Sequence, residues 1–156
     1  MKNLVIYLAG FDVFSDNAVK IGKDNKKICE KYGFTGLYPL DNECDNINEI
    51  FLGNLNLIHQ SDIVVANLNS FRGLTMDDGT AFEIGYAYAK GKEVYGYMDD
   101  TRSMIEKFGP KDKEGYNVED FNNPINLMIA ESTHIVEGNF EDCIKVLRKN
   151  KNNNYK

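Results

Sequence analysis

Two acidic side chains, Asp77 and Glu83, stand close together at the start of a predicted helix. Ile84 and Ala87 recur at helical spacing on the side that would pack against a sheet. A carboxylate in the first helical turn, facing away from that side, lies at the positive end of the peptide dipole, which favours its ionised form. Glu83 is therefore a candidate nucleophile or base, and Asp77 is a candidate acid partner.

The same two residues also fit a purely structural interpretation. Acidic residues are common as caps and in the first turn of a helix, where they accept hydrogen bonds from unpaired backbone N–H groups. Spacing alone favours neither interpretation. Within this segment we assign the cap to Asp78, and the choice for Asp77 and Glu83 depends on the rest of the chain.

The overall composition describes one globular domain. The chain has 156 residues, of which 42% are hydrophobic and 27% charged, enough to bury a core without disulfides. We predict a single domain over residues 1–150 and a frayed tail over residues 151–156. The net charge of −6 argues against nucleic acid as a partner. The longest apolar runs are too short to cross a bilayer and no signal-peptide pattern follows Met1, so we expect a cytoplasmic protein without membrane association.

Neither metal nor disulfide chemistry is predicted. Cys29, Cys44 and Cys143 are odd in number and widely spaced, and His59 and His134 have no further His or Cys at ligand spacing. The chain also has no glycine-rich dinucleotide fingerprint and no P-loop motif. We therefore expect no metal and no cofactor.

Strands and helices are predicted to alternate along the whole chain. Predicted strands cover residues 3–10, 34–40, 62–68, 93–98 and 133–136. Predicted helices cover residues 16–31, 46–60, the Glu83 segment up to Gly91, a short stretch to Lys107 capped by 99–101, and residues 124–130 and 139–149. This alternation predicts an α/β fold with a parallel sheet covered by helices on both faces.

Ligands of such folds bind outside the carboxyl ends of the strands. The predicted rim there comprises residues 7–14, 41–43, 67–79 and 99–102. Its aromatic candidates for a flat apolar slot are Tyr7, Phe11, Phe14 and Phe71, and the polar candidates for reading ligand edges are Asp41, Asn54 and Asn67. Each aromatic alone is more often a core residue. Two carboxylates beside an aromatic slot suit cleavage of a bond to a sugar carbon, where one attacks and the other protonates the leaving group.

Six motifs occur in an order that is typical of a known enzyme family. They are YLAG at residues 7–10, PLDNE at 39–43, DIVVANL at 62–68, FRG at 71–73, DDGTAFEIGYA at 77–87 and PINLM at 124–128. On these motifs the chain resembles the nucleoside 2-deoxyribosyltransferases over residues 4–147. The resemblance implies a flavodoxin-like doubly wound fold with five parallel strands. It also implies transfer of a 2-deoxyribosyl group from a 2-deoxynucleoside to another purine or pyrimidine base, a reaction of nucleoside salvage.

The resemblance assigns separate roles to the acidic residues. Glu83 matches the nucleophile that attacks C1 of the deoxyribose and forms a covalent glycosyl-enzyme, with overall retention of configuration. Asp77 matches an acidic residue that assists proton transfer and contacts the substrate. Tyr7 matches a tyrosine that orients the nucleophile.

The remaining implied site residues bind the substrate. Gly10 matches a glycine that lets the nucleobase approach a strand end, and Asn126 and Met128 match residues that reach into the active site of a neighbouring subunit. The full predicted substrate-binding set is Tyr7, Gly10, Phe11, Asn54, Gly79, Asn126 and Met128. A homo-oligomer, either dimer or hexamer, is therefore implied, with 2-deoxynucleosides and free nucleobases as its ligands. The long loop 109–123 is a candidate lid.

The chain departs from the family pattern at two places. Asn54 stands where some members have Asp, so a proton-transfer role is not carried over, and residues 11–13 replace a Gly-Pro turn beside the base. Two alternatives remain open. One is a hydrolase (N-glycosidase) of deoxynucleoside 5-monophosphates, although Asp77 near the sugar 5-position would repel a phosphate. The other is a flavodoxin-like binding module without catalysis.

Overall fold

Five parallel strands form one sheet in the order β2-β1-β3-β4-β5. The strands are β1 Leu4–Ala9, β2 Phe34–Leu37, β3 Ile63–Asn67, β4 Glu93–Met98 and β5 His134–Glu137. The computed structural model describes residues 3–42 and 44–153, so residue 43 of the predicted rim and residues 154–156 of the predicted tail lie outside it. This strand order is that of flavodoxin-like doubly wound sheets. The predicted fold class is therefore confirmed.

Helices cover both faces of this sheet. They are α1 Ala18–Lys31, α2 Ile47–Gln60, α3 Asp78–Ala89, α4 Met104–Phe108, α5 Leu127–Ser132 and α6 Phe140–Asn153. Helices α1 and α6 pack on one face around Val65 and Leu147, whereas α2 and α3 pack on the other face around Val64 and Ile84. Successive strand residues point to opposite faces, which is why Val64 and Val65 enter different cores. Within the described ranges, no helix has the length and apolar character needed to cross a membrane.

Two element boundaries differ from the predicted ones for local reasons. Strand β2 ends at Leu37 because a 3₁₀ turn, Pro39–Asp41, follows it, and proline has no N–H to donate to a strand ladder. Helix α4 is capped by Ser103 rather than by residues 99–101. The Ser103 side chain accepts a hydrogen bond from the N–H of Glu106, the third helical residue. The Glu106 side chain accepts one in return from the Ser103 N–H, so the two residues form a capping box.

The C-terminal elements are also shifted along the chain. Helix α5 begins at Leu127 rather than at Pro124, because Asn126 has non-helical backbone angles and its side chain caps the helix. Strand β5 begins at His134, one residue later than predicted. Helix α6 continues to Asn153, and Lys151 within the predicted tail forms an ion pair with Glu93 at 2.7 Å.

The start of α3 differs from the prediction in a way that changes the site. Asp77 has an extended backbone, and its carboxylate accepts a hydrogen bond from the Thr80 N–H at 2.8 Å. The N-cap is therefore Asp77, and the assignment of this role to Asp78 is wrong. Because the helix begins at Asp78, Glu83 lies in its second turn rather than in its first.

Candidate active site

A cavity of about 350 Å³ lies beside the carboxyl ends of the strands, near the point where the strand order reverses. Its wall is formed by the 3₁₀ turn Phe11–Phe14, the segment that begins with Pro39, helix α2 and the start of α3. Five predicted site residues line it: Gly10, Asn54, Asp77, Gly79 and Glu83. The volume lies in the range of small-molecule sites. Folding has therefore brought both predicted carboxylates to one cavity.

The Glu83 carboxylate is held by a hydrogen bond from Tyr7. The Tyr7 hydroxyl donates a hydrogen bond to Glu83 Oε1 at 2.7 Å. Tyr7 is fully buried on β1 and points toward α2 and α3, the same face on which Glu83 lies. Burial, followed by the charge and hydrogen bond of Glu83, raises the pKa of the Tyr7 phenol, so this hydroxyl keeps its proton and remains a donor. The predicted orienting contact between Tyr7 and Glu83 is present.

The ionisation of Glu83 is not what its position on a helix suggested. Burial raises the pKa of Glu83 to about 7; the Tyr7 hydrogen bond lowers it and the nearby Asp77 charge raises it. This raised pKa runs against the expectation that the helix dipole favours the ionised form of Glu83. Desolvation outweighs the dipole because the carboxylate sits one turn inside the helix, where the field of the helix terminus has weakened.

Asp77 combines a structural and a site position. Its Oδ2 atom accepts hydrogen bonds from both the Thr80 N–H and the Thr80 hydroxyl, each at 2.8 Å. Thr80 is fully buried and Asp77 nearly so. Two charge-assisted bonds to one oxygen fix the carboxylate in the cavity wall. The capping interpretation and the site interpretation of Asp77 are thus both compatible with the geometry.

The aromatic side chains form a stack rather than the predicted open slot. Phe71 lies between Phe11 and Phe14, with ring centroids 4.8 Å and 5.4 Å away and ring planes within 11° of parallel. The Arg72 guanidinium lies over the Phe14 ring at 4.9 Å. Of the stacked rings, only Phe14 lines the cavity, and Tyr7 lies beneath Glu83. Phe11, a predicted binding residue, does not line the cavity and stacks on Phe71 instead.

Of the three polar residues predicted to contact a ligand, two form hydrogen bonds away from the cavity. Asn54 on α2 lines the cavity. Asn67 is buried and donates a hydrogen bond to Asp12, whereas Asp41 caps its own 3₁₀ turn and pairs with Lys26. Neither Asn67 nor Asp41 lines the cavity, so only Asn54 remains available to contact a ligand there.

Asn126 and Met128 lie apart from Glu83 within the same chain. Asn126 caps α5 through a hydrogen bond from the Met128 N–H at 3.0 Å, and its side-chain amide donates to Glu119. Asn126 lines a second cavity of about 350 Å³, which also borders the start of α3 and contains neither Glu83 nor Asp77. The Met128 side chain is 71% exposed.

Several cavity residues were not singled out as site residues, although two of them lie within the predicted rim: Val13, Pro39, Leu40, Asn42, Cys44, Ile50 and Thr80. Pro39, Leu40, Asn42 and Thr80 fall within the quoted motifs, so motif matching offered a signal for them. The sequence offered no such signal for Ile50, because an apolar side chain at helical spacing is predicted to be a core residue. Among the side chains that the structure describes, no group of three or more His, Cys, Asp or Glu could hold a metal ion.

The fold and the cavity together define a flavodoxin-like α/β protein with two acidic groups at the carboxyl edge of its sheet. Comparison with known proteins makes this class specific. A family model described as nucleoside 2-deoxyribosyltransferase matches residues 6–128. The chain therefore belongs to the nucleoside 2-deoxyribosyltransferase family, which is a family of enzymes.

One solved structure agrees with this assignment, and two others share the fold. The chain is 34% identical to a 2-desoxiribosyltransferase from Leishmania mexicana, with a TM-score of 0.85 over 94% of this chain and 97% of that one. It shares its fold with a 2-deoxyribosyltransferase from Bacillus psychrosaccharolyticus, at 24% identity and a TM-score of 0.59 over 88% of each chain. It also shares its fold with a CMP N-glycosidase from Clostridium botulinum, at 18% identity and a TM-score of 0.54 over 92% of this chain and 97% of that one.

A curated relative has been found in Schizosaccharomyces pombe, where it is an uncharacterized protein. The two sequences are 34% identical over an alignment of 113 residues that covers 65% of this chain. The chain spans about half (53%) of the length of that relative.

Proposed function

We propose that this protein transfers the 2-deoxyribosyl group of a 2-deoxynucleoside to another nucleobase through a covalent intermediate on Glu83. The observation that carries the proposal is the Glu83 carboxylate, held by the Tyr7 hydroxyl at 2.7 Å in a cavity that Asp77 also lines. Attack of Glu83 on C1 forms a bond between carbon and carboxylate oxygen as the bond from C1 to the base nitrogen breaks. Asp77 assists protonation of the departing base.

The second half of the reaction reverses the first with a different base. An incoming nucleobase nitrogen attacks C1 from the face that the first base left, the bond from C1 to Glu83 breaks, and the proton of the incoming base passes to the Asp77 carboxylate. Two inversions give overall retention. A 2-deoxy sugar lacks the electron-withdrawing 2-hydroxyl group, which eases formation of the cationic transition state. General acid help from Asp77 adds about 10²–10⁴-fold to the rate.

Transfer competes with hydrolysis of the glycosyl-Glu83 intermediate, so the cavity has to exclude water while admitting a base. Val13, Phe14, Leu40 and Ile50 supply apolar side chains to its wall, and the aromatic Phe14 ring suits stacking of a planar base. The 109–123 loop ends next to Asn126, which it holds through Glu119. The role of the loop as a lid stays a prediction, because none of its residues, all of which the structure describes, lines the Glu83 cavity of the same chain.

We further propose that a second copy of the chain completes each site with its Asn126 and Met128. Both residues lie outside the Glu83 cavity of their own chain. Helices α2 and α3 carry the exposed apolar side chains that a partner would cover: Ile47, Phe51, Leu52, Phe82 and Tyr88. Phe51 and Phe82 touch across the two helices, with ring centroids 5.9 Å apart. A contiguous exposed aromatic surface of this kind is typical of protein interfaces.

The hydrolase alternative receives less support from the cavity. A deoxynucleoside 5-monophosphate needs positively charged or N–H donors beside the sugar. Two acidic residues and no Lys or Arg are among the described residues that line the cavity. Their charge disfavours a phosphate group.

Incubation of the protein with thymidine or 2-deoxyinosine and either adenine or cytosine tests the proposed activity. We expect a new nucleoside to form, because the acceptor base intercepts the glycosyl-enzyme before water does. Chromatography of both bases and both nucleosides distinguishes transfer from cleavage. Release of base and free deoxyribose without a new nucleoside would identify a hydrolase, and preference for the 5-monophosphates would reinforce that result.

The pH dependence of transfer tests the role of the Tyr7–Glu83 pair. Since only ionised Glu83 attacks, kcat/KM is expected to rise with pH through about 7. The Tyr7 hydrogen bond lowers the pKa of Glu83, so Tyr7→Phe should move the midpoint to higher pH and reduce kcat/KM at pH 7 about tenfold.

Tyr32→Phe is the matched control for this comparison. The Tyr32 hydroxyl also donates to a glutamate, Glu141, at 2.9 Å, but this pair lies between α1 and α6 on the opposite face of the sheet. The control should keep the wild-type pH profile. A Tyr7→Phe profile with an unchanged midpoint would contradict the proposed coupling of Tyr7 to Glu83.

A further inference from the structure

Asn67 occupies the last position of β3 and faces away from the Glu83 side of the sheet. Val65 belongs to the core formed with α1 and α6, and Ala66 to the core formed with α2 and α3. By strand alternation the Asn67 side chain is on the Val65 face. It is buried and does not line the cavity. Asn67 therefore does not contact a ligand in the cavity directly.

The Asn67 side chain instead holds the turn that forms one wall of the cavity. Its Nδ2 donates to Asp12 Oδ2 at 3.1 Å. Asp12 belongs to the 3₁₀ turn Phe11–Phe14, whose Val13 and Phe14 line the cavity. Without this bond, a buried amide group of Asn67 would lose a partner, which is costly.

The fit between these groups depends on the glycine before the turn. A Cβ atom on Gly10 would come within 2.7 Å of Asp12 Oδ2 and 2.9 Å of the Asn67 Cβ. Both distances are shorter than the contacts that Cβ atoms make in proteins. A larger residue at position 10 therefore fits only if the turn is displaced. The absence of a side chain at Gly10 thus serves the Asn67–Asp12 contact as well as the approach of a ligand.

Further hydrogen bonds keep the Asn67 amide in one orientation. Its Oδ1 accepts from the Asn69 N–H at 3.1 Å and from the Asn69 side-chain amide at 2.9 Å. Asn69 Oδ1 in turn accepts from the Asp99 N–H, just beyond β4, at 2.9 Å. Because Oδ1 of Asn67 accepts the hydrogen bonds from Asn69, it is Nδ2 that faces Asp12. The chain of contacts links the ends of β1, β3 and β4.

We propose that Asn67 is a positioning residue that sets nucleobase affinity by holding the Phe11–Phe14 turn through Asp12. This inference rests on the proposed function insofar as the ligand of the cavity is a nucleobase. Glu83 and its donor Tyr7 lie on the other face of the sheet. Loss of the Asn67–Asp12 contact should therefore affect binding of the base and leave the chemical step nearly unchanged.

The variant Asn67→Asp breaks this contact selectively. The new carboxylate still accepts both hydrogen bonds from Asn69, but it faces the Asp12 carboxylate where an N–H···O bond existed. We expect KM for the acceptor base to rise at least about tenfold, while kcat changes less than about threefold. Asp12→Asn keeps a neutral acceptor for Asn67 and should remain within about threefold of wild type in both parameters.

The exchanged double variant Asn67→Asp with Asp12→Asn restores the bond with its direction reversed. It should return KM to within about threefold of wild type. A merely structural role predicts that stability falls in Asn67→Asp and recovers on exchange while KM for the base stays unchanged, so KM separates the two explanations. A wild-type KM in Asn67→Asp, an equal fall in kcat, or failure of the exchange to restore KM would each overturn the inference. If Asn67→Asp does not fold, Asp12→Ala decides, and a wild-type KM there overturns the inference.

The dissociation constants of adenine and cytosine, measured by calorimetry on the same variants, do not depend on transfer. They are expected to follow the KM pattern for whichever base the wild type binds. A wild type that binds a base but makes no new nucleoside contradicts the proposed activity and leaves the binding comparison to decide on Asn67. Unchanged base affinity in Asn67→Asp contradicts the inference alone.

Discussion

Replacement of Glu83 by Gln is expected to abolish transfer while the protein remains folded. The amide retains an oxygen that can accept the Tyr7 hydrogen bond, but it is not a nucleophile and cannot form the glycosyl-enzyme. Loss of a nucleophile lowers turnover by about 10⁴-fold or more. The measurement is the initial rate of new nucleoside formation from thymidine and adenine or from 2-deoxyinosine and cytosine.

Glu30→Gln is the matched control for this variant. Glu30 is exposed on α1, which covers the opposite face of the sheet, so the same change in charge there should leave the rate unaltered. A Glu83→Gln protein that retains most of the wild-type rate would overturn the covalent mechanism. It would favour the interpretation of the fold as a binding module.

The same variant has an expected effect on stability that depends on pH. The pKa of Glu83 rises from an ordinary 4.5 to about 7 on folding. Between these values the folded protein keeps a proton that the unfolded chain releases, so the free energy of unfolding falls as pH rises from 4.5 to about 7. Glu83→Gln has no such proton to lose and should be more stable than wild type by about 3 kcal/mol above pH 7.

Chemical denaturation of both proteins on either side of this pH range measures the difference. At pH values below the ordinary glutamate pKa, the two proteins should have nearly equal stability, since Glu83 is then protonated in both states. Equal stability above pH 7 would contradict the raised pKa of Glu83. Such a result would place the site closer to an ordinary solvated carboxylate.

Mixing two inactive variants is expected to restore activity if neighbouring subunits share each site. Glu83→Ala removes the nucleophile, and Asn126→Ser removes the amide that the neighbour would supply while keeping a side chain able to cap α5. In a mixed dimer, one site combines an intact Glu83 with an intact Asn126, and the other site has neither. Random exchange of subunits at equal amounts should therefore yield about a quarter of the wild-type activity.

A mixture of Glu83→Ala with Asp77→Asn controls for this experiment. Glu83 and Asp77 line the same cavity of one chain, so no arrangement of these subunits produces an intact site. Co-expression or refolding of the mixed subunits ensures exchange, and formation of new nucleoside is the readout. If the Glu83→Ala and Asn126→Ser mixture is no more active than its components, each site is complete within one chain.

The alternation of apolar runs with amphipathic segments was sufficient to predict the parallel sheet and its helices. Those patterns report local periodicity and burial, which depend on neighbouring residues. The segment 77–87 made Glu83 and Asp77 candidates, and the order of motifs along the rest of the chain was needed to choose between a catalytic and a capping role for them. The motif order predicted the family that comparison confirms.

Only the tertiary structure decided how these residues behave. Tyr7 and Glu83 are 76 residues apart in the chain, and their hydrogen bond exists because Tyr7 points toward the face of the sheet that α3 covers. The raised pKa of Glu83 follows from burial by several elements, which no local pattern encodes. The role of Asn67 also depends on the tertiary structure. The sequence predicts that this residue contacts a ligand, but its side chain donates a hydrogen bond to Asp12, 55 residues away.

Asp77 and Glu83 show this division most directly. Residue types and spacing determined that two carboxylates stand near a helix start. The backbone angles at Asp77 decided that this residue, and not Asp78, caps α3. Packing of the helix on the sheet decided that Glu83 is buried against Tyr7. Sequence determines which groups are present, whereas desolvation and long-range hydrogen bonds, which set their charge and orientation, arise only when distant segments pack together.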